Sequence, residues 1–121
     1  MDGLTVDHII GLHRQILAGK DDDARVLSEA NLHQLVFLVN AEQDPIEAAS
    51  RAIFQIVAYP SFNDGNKRTA CRVAQEILSQ AGWRLAGNDE ELFALMQELK
   101  DFAAEPEDIT AWIQTNTKKT E

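Results

Sequence analysis

The stretch from Asp44 to Pro60 restricts the fold more than any other. Placed on a helix, Ala48, Ala49, Ala52, Ile53, Phe54, Ile56 and Val57 leave nearly every side apolar, so the helix has to be enclosed by neighbours. Its start is well marked, with Asp44 as N-cap, Pro45 at the first helical position and Glu47 placed for a capping box. Pro60 stops it and pushes Tyr59 towards an extended conformation. The other apolar patterns also repeat at helical spacing. Thr5 caps a first helix with Val6, Ile9, Ile10, Leu12, Ile16 and Leu17 as its stripe, ended by Gly19. Ser28 and Asn31 begin a second, carrying Leu32, Leu35, Val36 and Val39, with Phe37 to the side. Ala70, Val73, Ala74, Ile77, Leu78 and Ala81 form another, closed by Gly82. Asn88 and Glu91 open a helix lined by Leu92, Leu95, Met96, Leu99 and Phe102, and Glu105-Pro106-Glu107-Asp108 opens the last, with Ile109, Trp112 and Ile113 inward. The expectation is an all-α, compact bundle of about six helices forming one domain over residues 1–121, with a short connection at Trp83-Arg84-Leu85 and a frayed polar tail from Thr115.

The chemistry concentrates between the two central helices, in Ser61-Phe62-Asn63-Asp64-Gly65-Asn66-Lys67-Arg68-Thr69. This loop feeds a helix N-terminus, where the first N–H groups have no intrahelical partner and the peptide dipoles favour an anion. Lys67 and Arg68 fall in that first turn, against the dipole unless an anion offsets them. Gly65 permits a positive φ or the close approach of a ligand. Asp64 is a hard oxygen ligand where magnesium could bridge to phosphate. Phe62 reads as the loop's anchor in the core.

Composition narrows the rest. A formal net charge of −9 disfavours nucleic acid and anionic membrane surfaces as general partners. Cys71 is the only cysteine, so no internal disulfide forms, and its apolar surroundings suggest an inert thiol. The first residues lack a basic-then-apolar leader pattern, and the expected compartment is the cytoplasm.

The run Phe62-Asn63-Asp64-Gly65-Asn66-Lys67-Arg68-Thr69-Ala70 resembles the signature loop of the Fic/Doc family, closest to the Doc (death-on-curing) branch. The resemblance implies an all-helical fold that binds ATP or another nucleoside triphosphate with Mg at this loop and transfers a phosphoryl or adenylyl group to a hydroxyl of a target protein. It further implies that Asp64 holds the metal, that Gly65, Asn66, Arg68 and Thr69 with the helix amides hold phosphate, and that Lys67 biases the nucleotide towards phosphoryl transfer. Doc-like members are toxins paired with an antitoxin and act on elongation factor Tu, so an antitoxin-type protein inhibitor and a target in the translation machinery are the implied partners. Fic-type members carry a second arginine three residues after the first, where this chain has Cys71. Ser28-Glu29-Ala30-Asn31-Leu32 does not fit the inhibitory helix of some Fic proteins, so restraint has to come from a separate partner.

One departure bears on catalysis. The family's general-base histidine lies two residues before the phenylalanine, and here that position is Pro60. Loss of a general base costs typically ~10²–10⁴-fold in rate. The alternatives are thus an impaired transferase, a catalytically degenerate nucleotide-binding module, or a helical interaction module without a working site. Tyr59 is either a substitute proton acceptor or a packed ring, and Arg72 either joins the anion site or stays on the surface. His13 reads as a partly buried histidine bonded to backbone. Asp21-Asp22-Asp23 reads as a solvated turn, and residues 19–27 as the place of the family's target-docking flap.

Overall fold

The computed structural model describes residues 3–18 and 25–120. Six helices follow one another: α1 (Val6–Leu17), α2 (Glu29–Ala41), α3 (Pro45–Ala58), α4 (Asn66–Gln80), α5 (Asp89–Lys100) and α6 (Pro106–Asn116). The fold is all-α, with one short antiparallel ribbon appended. The caps are those the side chains dictate. Thr5 Oγ1 accepts from the His8 amide at 3.1 Å, Ser28 Oγ from Asn31 at 3.1 Å, Asp44 Oδ1 from Ile46 at 2.9 Å and Asn88 Oδ1 from Glu90 at 2.7 Å. Glu105 and Asp108 close a capping box at α6. The box expected at α3 is replaced: the Asp44 amide donates to Glu42 Oε1 at 3.3 Å, because Glu42 already lies beside the entering chain.

α3 is the enclosed helix, packed against α4 above all and also against α2, α5 and α6. Ala48, Ala49 and Ala52 let the neighbouring helices approach, while Ile53 and Ile56 are fully buried, each contributing about 1.5–3 kcal/mol over an exposed position. α3 ends at Ala58, and Tyr59 leaves the helix with φ −128° and ψ 74°, as the following proline requires. α1 lies across α4 and touches α2, which sets its C-terminal half over the loop that precedes α4.

Two expectations are corrected. Trp83–Leu85 is a strand, β1, paired antiparallel with β2 (Thr117–Lys119), Trp83 opposite Lys119 and Leu85 opposite Thr117. The tail is therefore tied down rather than frayed, with the Thr120 amide also donating to the Gly82 carbonyl at 2.8 Å. Phe102 lies past the end of α5 with φ 60° and is 96% exposed, outside the apolar face formed by Leu92, Met96 and Leu99. The acidic turn Asp21-Asp22-Asp23 and most of the expected flap lie outside the described residues.

Candidate functional site

The loop from Pro60 to Gly65 is held from behind by the approach to α2. The Leu27 and Ser28 amides donate to the Ser61 carbonyl at 2.7 and 3.2 Å, Asn31 Nδ2 donates to the Pro60 carbonyl at 3.0 Å, and Val26 bridges to Phe62. Phe62 is buried, its ring stacked on the imidazole of His13 with centroids 3.7 Å apart and planes 6° from parallel. Asn66 braces the loop from the front. Its Nδ2 donates to the Phe62 carbonyl at 2.8 Å and its Oδ1 accepts from the Phe62 amide at 3.2 Å. The Asn66 side chain is thus spent on shaping the loop.

Gly65 is the N-cap of α4 at φ 76° and ψ 16°, the left-handed region that costs a residue with a Cβ about 1–2 kcal/mol. A Cβ there would stand 3.0 Å from Leu17 Cδ2 and 3.5 Å from His13 Nε2. The close approach that Gly65 allows is therefore that of α1 from behind. In front, glycine offers no capping side chain and the first turn contains no acid, so the orphan amides and the positive end of the dipole are left for another acceptor.

That end opens onto a cavity of about 470 Å³, bounded by residues 63–68 on one side and by Phe93 and Lys100 of α5 on the other. Asp64, Gly65, Asn66, Lys67 and Arg68 are all brought together on it. The Asp64 carboxylate is exposed and bonds no described residue. Lys67 Nζ donates to Gln97 Oε1, and Gln97 Nε2 in turn donates to both Asp101 oxygens at 3.1 and 3.0 Å, so Lys67 is aligned by α5. With Lys67, Arg68 and Lys100 on its rim, the cavity is a cationic spot on a chain of net charge −9.

Two residues expected at the site lie off the cavity. Thr69 is fully buried, because it falls on the inner face of α4 one position before Ala70, and its hydroxyl has no partner among the described residues. Pro60 borders a separate groove of about 630 Å³ with Tyr59, Phe102 and Lys100. The Tyr59 ring meets Phe54 edge-on, centroids 6.2 Å apart, and is half exposed. Arg72 is exposed and does not border the cavity. Phe93, Gln97 and Lys100 were not legible as site residues. Lys100 reads as an ordinary last-turn cation, and nothing along the chain joins α5 to a loop thirty residues earlier.

Cys71 is buried, and desolvation, followed by the charge of Asp89, raises its thiol to about 11. Such a thiol is protonated at neutral pH and no nucleophile. No group of three or more metal-ligating side chains occurs among the described residues. No described helix is long and apolar enough to cross a membrane.

The fold is thus a helical bundle in which a glycine precedes an uncapped helix end flanked by cations. The sequence model of the Fic/DOC family matches residues 3–78, more than half of the chain, and the chain belongs to that family, whose members carry out nucleotidyl or phosphoryl transfer. The matched stretch ends within α4, so the α5 wall of the cavity lies beyond it. No curated protein matches the chain.

Proposed function

We propose that this chain is a Doc-like, toxin-type protein that binds a nucleoside triphosphate with magnesium in front of α4, with family chemistry of phosphoryl transfer to a protein hydroxyl and a rate lowered by the missing base. The observation that carries this reading is the cavity itself. It combines a helix N-terminus without a side-chain cap, an exposed carboxylate at Asp64 and three cations at Lys67, Arg68 and Lys100. Polyphosphate satisfies the first and the third, since its oxygens accept from the orphan amides and pair with the cations, and a magnesium ion between them would satisfy the second. Asp64 would hold magnesium, which supplies charge neutralisation across the phosphates. Lys67, restrained by Gln97, and Arg68 would orient the phosphate chain, and positioning of this kind does much of the work in phosphoryl transfer. The expected setting is the cytoplasm, with a target in the translation machinery and an antitoxin-type inhibitor as restraint.

A second reading, nucleotide binding without transfer, is favoured by Pro60. The position of the general base holds no ionisable group and borders the neighbouring groove instead of the loop cavity. Incubation with ATP labelled at the γ position, with cell lysate as target, separates the two. Labelled protein in the presence of the native chain supports transfer. Labelling only by Pro60→His, with ATP bound equally by both, supports the degenerate reading. No labelling by either chain at high concentration removes the transferase reading.

A further inference from the structure

His13 is a polar residue in a place where an apolar one would pack as well. It is fully buried on α1, stacked on Phe62, and 51 positions from the loop it touches. Its Nε2 lies 2.6 Å from the Asp64 carbonyl oxygen. A carbonyl only accepts, so the proton is on Nε2. Nδ1 is buried and has no partner among the described residues. A buried polar atom without a partner is a standing cost that phenylalanine or leucine would avoid while still covering Phe62. What the imidazole adds is the single donor aimed at Asp64.

That donor is directed at the backbone of the site loop. The same Nε2 stands 3.5 Å from where a Cβ of Gly65 would be, so the ring lies close against the Asp64–Gly65 segment of the loop. Phe62 and Asn66 fix the loop before and after this point, and His13 fixes the point itself. Resting on the nucleotide-site reading above, we propose that His13 is a positioning residue of this site: its Nε2–H holds the Asp64 carbonyl and so sets the direction of the Asp64 carboxylate and of the α4 amides that follow Gly65. It touches no ligand and acts through the loop.

The pair His13→Gln and His13→Met tests this. The two side chains match in length and volume, and only glutamine keeps an N–H at the place of Nε2. Thermal melting, Mg·ATP affinity by calorimetry and the amide resonances of Gly65 and Asn66 are measured on both. The expected result is that His13→Met binds Mg·ATP about tenfold or more weaker, the scale of one hydrogen bond's misplacement. His13→Gln stays within about threefold of the parent, and the Gly65 and Asn66 resonances move in Met but not in Gln. Equal affinities and equal resonances for Gln and Met, at any melting temperature, overturn the proposal. If the parent itself binds no Mg·ATP, the nucleotide reading fails alone, and the resonances still decide whether His13 orders the loop. If His13→Met does not fold, His13→Phe, which keeps the stack on Phe62 and lacks the donor, takes its place in the comparison.

Discussion

Replacing Gly65 by alanine combines three effects that the structure separates. The left-handed φ of 76° costs alanine about 1–2 kcal/mol. The reduced freedom of the unfolded chain returns about 0.4–1 kcal/mol. The new Cβ meets Leu17 Cδ2 at 3.0 Å, a movable methyl, which adds a few tenths at most on the scale of mild overpacking. The net expectation is a loss of about 1 kcal/mol, or roughly 3–6 °C in melting temperature for a chain of this size. Gly82→Ala is the internal control. Gly82 has a comparable φ of 82° with nothing within 4 Å of its Cβ, so it isolates the backbone term. Urea or thermal unfolding of both variants reads the difference, and Mg·ATP affinity should fall for Gly65→Ala alone, since only there does the strain sit under the cavity. Unchanged melting of Gly65→Ala, or equal binding by both variants, would refute the reasoning.

Other consequences are as direct. Phe62→Ala removes a ring that is 1% exposed and should cost about 3–5 kcal/mol, measured by urea unfolding; a cost below about 1 kcal/mol would show that the loop is not anchored there. Cys71 should react with a thiol reagent at pH 8 only as fast as the protein unfolds. Its pKa is raised from 9.0 to about 11 in the folded state, so above pH 9 the unfolded chain binds fewer protons than the folded one. Stability from this group is therefore full below pH 9 and declines as pH rises towards 11, and Cys71→Ala should flatten that decline. Phe102→Gly relieves a φ of 60° at a residue that is 96% exposed; stability should stay level or rise by up to about 1 kcal/mol, and a clear drop in melting temperature would show that the ring is packed in solution.

The helices were readable because each start carries its own chemistry. Asp44-Pro45 and Ser28 mark ends through local hydrogen bonds, and the run from Ala48 to Val57 admits only an enclosed helix. The β1–β2 ribbon was not readable, since three residues give no alternation to count and its partners, Trp83 and Lys119, are joined only by the tertiary fold. Phe102 kept the spacing of its helix on paper, but the helix ends at Lys100 and the backbone turns it outward. At the site, the loop declared itself through a glycine, a carboxylate and two cations in succession. Its surroundings did not. His13 was legible as a histidine bonded to backbone, while the identity of that backbone, the Asp64 carbonyl, is a contact across 51 residues. The α5 wall is likewise a product of packing, where Phe93 and Lys100 look like any surface positions of an amphipathic helix.

The most direct measurement is the melting temperature of the chain with ATP alone, with magnesium alone and with both, for the parent and for Asp64→Asn. A ligand present at a hundred times its dissociation constant stabilises the fold by about 2.7 kcal/mol. The parent should therefore gain several degrees with ATP and magnesium together and less with either alone, while Asp64→Asn loses the part that depends on magnesium. No shift of the parent under any of these conditions would contradict a nucleotide site in front of α4.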